Sequence, residues 1–214
     1  MKDMYISDEL RTRVSPRMLE KFDEVMKLGF VRRLDIRKID LPNGEISGVD
    51  AAEERKIKDM KGYFQDETAY ALENPEKIVY RVFRKNYPEI SYGITELFPG
   101  KIGREYFMTK GHFHKRVEAP GIYFCIKGFG VVVMQHKDEY YAPLVAPFDM
   151  GTIALMAPYY AHRVVNVGEE SLIFIGLSAT DSGISYSSLE RKGFKLIIVE
   201  ENQKATIQEN PRYK

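Results

Sequence analysis

From Ile78 onward the chain is a succession of short β-branched or aromatic runs, each closed by Gly, Pro or Asn. "KIVYRVFRKNYP", "ISYGITELFPG", "GIYFCIKGFGVVVMQH", "GTIALMAP", "AHRVVNVG", "SLIFIGL" and "FKLIIVE" show the pattern. Such side chains suit a pleated, half-buried surface, and turn residues at these intervals leave little length for helices. The spacing predicts a mainly β protein, a sandwich or a barrel. With 214 residues, the chain can bury one sizeable core without disulfides or a structural metal.

The first third reads differently. "SPRMLEKFDEVMKLG" offers Ser15 as a cap, Pro16 at the first helical position, and a stripe of Met18, Leu19, Phe22, Val25 and Met26 that Gly29 closes. A short amphipathic helix is expected there. "VRRLDIRKIDLPNGEISG" predicts a strand followed by a turn at "PNG", and the charged "DAAEERKIKDMKGYF" predicts a second helix ending near Gly62.

Charge excludes several classes of function. Lys and Arg number 32 against 31 Asp and Glu, a net charge of +1, so no global field draws nucleic acid or an anionic membrane. The apolar runs are strand-length, well short of the roughly 20 residues that span a bilayer. The opening "MKDMYISDELRTRV" has charges throughout and no apolar core of a secretory signal, so export is not expected. Cys125 is the single cysteine, which fits a reducing cytoplasm, and its place among apolar strand positions predicts a buried, inert thiol.

Chemistry concentrates in the histidines. His112 and His114 stand two apart in "TKGHFHKR", so on a strand both imidazoles leave the same face. His162, in "MAPYYAHRVVN", follows a proline-bearing turn into another short strand. If a barrel brings it to the first pair, three imidazoles can hold a divalent metal and leave a position open. An alternating pair also occurs by chance on exposed strands, so the residues alone leave both readings standing. His136, in the charged "MQHKDEYY", is expected in an exposed turn.

GHFH, an aromatic strand ending in KGFG, and Pro158 ahead of "AHRVVN" together resemble the cupin superfamily. More specifically, the chain resembles the archaeal cupin-type glucose-6-phosphate isomerases. That likeness runs in order through "DMKGYFQDETA", "FPGKIGREYFMTKGHFH", "KGFG", "APYYAHRVVNVG", "DSGISY", "KGFKLIIVEEN" and "NPRYK". It implies a double-stranded β-helix (jelly-roll) barrel over residues 55–214, with residues 1–54 a short α/β extension covering it. It also implies metal-dependent interconversion of glucose 6-phosphate and fructose 6-phosphate by enediol or hydride transfer. His112, His114 and His162 would be the catalytic metal ligands, holding one divalent ion per chain. Iron comes first, with zinc, nickel, manganese and cobalt as alternatives. Thr95, Thr109 and Gly111 fall on the family's phosphate contacts, and Tyr80, Tyr123 and Tyr186 on tyrosines of the same pocket. A cytoplasmic homodimer is implied, with a sugar phosphate as substrate and neither nucleic acid nor membrane as partner.

Two positions depart from the family. Its ExY glutamate, a metal ligand and proposed base, falls on Gly121, and a histidine two residues before Tyr186 falls on Ile184. Three explanations stand for the glycine: Glu118 swings in as substitute base, water completes a three-histidine site, or the change belongs to this chain alone. The alternative function is therefore a catalytically impaired cupin that binds sugar phosphate or metal.

Overall fold

The computed structural model describes residues 12–20, 39–40, 45–46, 48–186 and 189–213. By internal contacts the chain divides into two units, one of Met1–Ile39 with Ile46–Gly48 and one of Asp40–Glu45 with Val49–Lys214. In the first, the Ser15 hydroxyl accepts from the Met18 backbone N–H at 3.3 Å and residues 16–20 are helical, as the cap and Pro16 predict. The remainder of the expected helix, residues 21–29, lies outside the described residues. Strands β1 (Ile39–Asp40) and β2 (Glu45–Ile46) pair across the "PNG" segment.

The second unit is mainly β, and two of its antiparallel sheets close over a common core. One has six strands in the order β11-β8-β13-β5-β4-β3: Ile153–Met156, Gly121–Lys127, Leu172–Ala179, Ile90–Leu97, Ile78–Asn86 and Ala51–Lys56. The other has three in the order β10-β9-β12: Leu144–Asp149, Phe129–His136 and Tyr160–Asn166. Val79, Leu97, Cys125 and Phe174 from the first meet Val132, Phe148, Ala161 and Val164 from the second in one buried cluster. Phe148 stands edge-on to Phe174 with ring centroids 5.6 Å apart, a preferred aromatic geometry. This is the jelly-roll arrangement the cupin resemblance implies.

Strand periodicity explains the roll, and close approach explains the glycines of "KGFG". Gly128, at φ +87°, turns β8 into β9, and a β-carbon there would lie 2.7 Å from Ser171 O. At Gly130 the same atom would lie 2.4 Å from Val165 O, so β12 can pack only against a bare backbone. A further sheet, β15-β14-β7-β6, joins Lys204–Glu209, Leu196–Glu201, Glu105–Tyr106 and Lys101–Ile102.

One prediction is corrected here. "DAAEERKIKDMKGYF" is not a helix: Ala51–Lys56 is the edge strand β3, and only Ile57–Met60 makes a 3-10 turn before Gly62. Pairing with β4 overrides the helix preference of its Ala and Glu residues. Its charges are used across the edge, where Glu54 meets Arg81 at 3.0 Å and Glu53 lies 3.7 Å from Arg84. Among the described residues, no helix is long and apolar enough to cross a membrane.

Candidate metal centre and substrate cleft

The segment after β7 runs antiparallel to β12 and is stitched to it at intervals. Thr109 N–H donates to Val164 O at 2.9 Å, and His112 and His162 exchange backbone hydrogen bonds of 3.2 and 3.1 Å. Gly111, at φ +73°, makes the intervening turn, where a β-carbon would lie 2.6 Å from the Phe194 ring. That pairing carries the two histidines of GHFH onto the third.

The three imidazoles converge. Each offers one ring nitrogen, and these atoms all lie within 4.8 Å of one another, the one such His/Cys/Asp/Glu group among the described residues. His114 Nδ1 lies 2.7 Å from Ala119 O; a carbonyl only accepts, so Nδ1 carries the proton and Nε2 is left as a lone-pair donor. His162 is 2% exposed, and neither of its ring nitrogens has a hydrogen-bond partner. A buried imidazole with two orphaned nitrogens costs stability unless something else takes the lone pair. Burial, then the neighbouring His114 and Arg84, lowers the His112 pKa to about 3, and burial holds His162 well below its ordinary value. Both are therefore neutral ligands at physiological pH, and the donor set fits a divalent metal ion.

A cleft of about 450 Å³ opens beside the cluster. Every sequence-predicted substrate residue lines it: Tyr80, Thr95, Thr109, Gly111, Tyr123 and Tyr186, with His112 and His114. The Thr109 hydroxyl accepts from Val164 N–H at 3.1 Å, which leaves its own proton to donate outward. Burial pushes the Tyr80 and Tyr123 phenols far above their usual range, so both remain O–H donors. Tyr123 stands perpendicular to His162 at 5.4 Å, and Tyr186 edge-on to His112 at 6.2 Å.

Gly121 and Ile184 also line the cleft, at the two positions where the family pattern is broken. Glu118 does not: it is exposed in the turn before β8, while its neighbour Ala119 supplies the carbonyl that holds His114. His136 is less exposed than expected and packs between Tyr141 and Tyr160, at 4.4 and 4.8 Å. Arg84, Lys110 and Lys115 line the cleft too and escaped sequence reasoning. Strand parity was the available signal for the first, because Arg84 and Asn86 follow Tyr80 at even spacing on β4 and must share its face.

A two-sheet β-roll that gathers three histidines, a donor set that can hold a metal, beside a hydroxyl-lined cleft is that of a cupin. A family model, glucose-6-phosphate isomerase (GPI), matches residues 45–214. The glucose-6-phosphate isomerase of Thermococcus kodakarensis is 40% identical over 181 residues, which is 82% of this chain and 94% of that one. The corresponding proteins of Thermococcus onnurineus and Pyrococcus furiosus are 39% and 37% identical, each match spanning 83% of this chain and 95% of the relative. Among solved structures, an oxalate decarboxylase from Lactobacillus farciminis overlaps 50% of this chain and 30% of its own, at 19% identity and a TM-score of 0.40. The chain belongs to the glucose-6-phosphate isomerase family, of the type found in Thermococcus and Pyrococcus.

Proposed function

We propose that this protein interconverts glucose 6-phosphate and fructose 6-phosphate. The observation that carries the reading is that two members of the three-histidine cluster, His112 and His114, line one cleft with Thr95 and Thr109. Hydroxyl donors bind a phosphoryl group at one end of an open sugar chain and so fix where its other end lies. His112, His114 and His162 would hold the metal, which when bound supplies Lewis-acid polarisation of the oxygens on the first two sugar carbons. Iron is the first choice, although imidazole ligands also suit zinc, nickel, manganese and cobalt.

The hydroxyls of Tyr80, Tyr123 and Tyr186 can donate to oxygens on which charge develops. Lys110 and Lys115 add positive potential for the phosphorylated substrate. No carboxylate lines the cleft among the described residues, so no acidic side chain there takes the migrating proton. Hydride transfer between the two carbons needs no such base and is the route that this lining suits. The gap at Gly121 favours a second reading as well, a sugar-phosphate-binding cupin with impaired turnover.

The working unit we propose is a cytoplasmic homodimer. Ile153 and Leu155 on edge strand β11 are 70% and 58% exposed, and their cross-strand partners Phe124 and Ile122 are also exposed. An apolar sheet edge of this kind calls for cover. Coupled assay of the metal-loaded protein with fructose 6-phosphate and with fructose tests the function. Turnover of the phosphate alone supports it; equal rates, or none with either sugar, would refute it.

A further inference from the structure

Behind the histidine strand lies a second cavity, of about 260 Å³, that the isomerase reading does not use. Its lining is cationic: Lys61, Lys110, Arg163, Lys192 and Arg212, against a single carboxylate, Asp59. Asp59 is already engaged, since its Oδ2 accepts from the Lys56 backbone N–H at 2.9 Å. Lys192 meets Glu139 at 3.2 Å and Arg212 donates to Gln65 and to Phe64 O. None of these partners neutralises the residue at the bottom of the cavity.

That residue is Arg163, 3% exposed and cationic at physiological pH, although burial lowers its pKa to about 10. Its Cζ lies over the Phe194 ring, 4.0 Å from the centroid, its Nη1 points at the Met108 sulfur, and its Nε has no hydrogen-bond partner. Glu105 attracts it, yet no ion pair within 4 Å joins them among the described residues, and Glu105 Oε1 is itself buried without a partner. A buried guanidinium without a hydrogen-bonded anion is costly, and one that lines a basic cavity suits a tetrahedral oxyanion.

We infer that this cavity is a second anion site, which takes a phosphoryl group, free or carried by a small metabolite, on Arg163, Lys61 and Lys192. It stands against the substrate cleft through two contacts. Lys110 lines both cavities, and Gly111 rests on the Arg163 and Phe194 side chains, where a β-carbon would lie 2.9 Å and 2.6 Å from them.

Equilibrium dialysis of the full chain with labelled orthophosphate, at fixed ionic strength, tests the site. The wild type is expected to bind a second phosphate beyond the one in the cleft. Thr109→Val should weaken the cleft site alone, by about 10- to 100-fold. The double substitution Lys61→Gln/Lys192→Gln should weaken the second site by about tenfold or more, the scale of a lost charge-assisted hydrogen bond, and leave isomerase turnover intact. Arg163→Met should do the same where circular dichroism shows it folded, and the lysine variants serve where it is not. Repeating the dialysis with labelled fructose 6-phosphate separates the sources. Filling of the second site by both compounds points to a sugar phosphate, and by orthophosphate alone to the free anion. A single phosphate per chain, weakened in Thr109→Val, would overturn the inference, as would a second phosphate indifferent to the lysine substitutions.

Discussion

A β-carbon on Gly121 would stand 3.4 Å from Cε1 of His114, with Leu177 O at 3.3 Å and Met156 Cβ at 3.5 Å. Position 121 therefore faces the histidine cluster from strand β8, on backbone that any residue can adopt. A β-carbon there needs only the Leu177 carbonyl to give by a few tenths of an ångström, and its other contacts are ordinary van der Waals distances. Gly121→Glu is accordingly expected to fold, to bind the metal more tightly, and to raise turnover. If the carboxylate acts as base, the gain approaches the roughly 10²- to 10⁴-fold that general base catalysis contributes. Metal titration and coupled assay of the variant against wild type check this; unchanged affinity and rate would show that the side chain does not reach the cluster.

Much of this site was legible in the chain itself, and the reasons are local. His112 and His114 share a face by strand parity, and the third histidine follows a recognisable turn. Gly128 and Gly130 of "KGFG" mark where β8 turns into β9 and where β12 crowds it. What could not be read depends on contacts between distant residues. Ala51–Lys56 carries a helix-favouring composition and becomes a strand only because β4 offers it a ladder. Arg163, beside His162 in the sequence, looks like any strand arginine until Phe194 and Met108 close over it. Glu118 could be offered as a substitute base because its neighbour Pro120 hides the direction of the turn, and the structure places it in solvent.

Thr109 accepts from Val164 N–H and lines the cleft, so its hydroxyl has a structural and a binding role. Thr109→Val is expected to raise KM for fructose 6-phosphate more than it lowers kcat. Together kcat/KM should fall about 10- to 100-fold, the worth of one hydrogen bond to a charged group. Thr109→Ser should restore most of the loss. Steady-state kinetics of the pair would contradict the assignment if KM were unmoved.

Burial raises the Cys125 thiol from its usual 9.0 to about 11. Between those values the unfolded chain gives up the thiol proton and the folded protein keeps it. The native state then binds more protons, and stability falls as pH rises through that window. The contribution is at most about 1.4 kcal/mol per pH unit. Urea unfolding at pH 8.5 and 10.5 should show a steeper loss in wild type than in Cys125→Ala, which would be less stable at both pH values but flatter between them.

Register pairs Ile153 with Phe124 and Leu155 with Ile122 on the outer face of the β11 edge. Light scattering is expected to find a dimer in wild type and a monomer in Ile153→Lys/Leu155→Glu, with the cleft and its metal content unaffected. A dimer that persists in the double variant would place the interface elsewhere.

The central claim is that the three-histidine cluster makes this cleft an isomerase. Fructose 6-phosphate turnover, measured beside metal content on chelator-stripped protein reloaded with a single divalent ion, tests it most directly in wild type and His162→Ala. The account predicts that turnover returns in proportion to bound metal in wild type, and that the variant neither retains the ion nor turns over. Full metal occupancy in a folded wild type with no turnover, or equal turnover in the stripped protein, would contradict it.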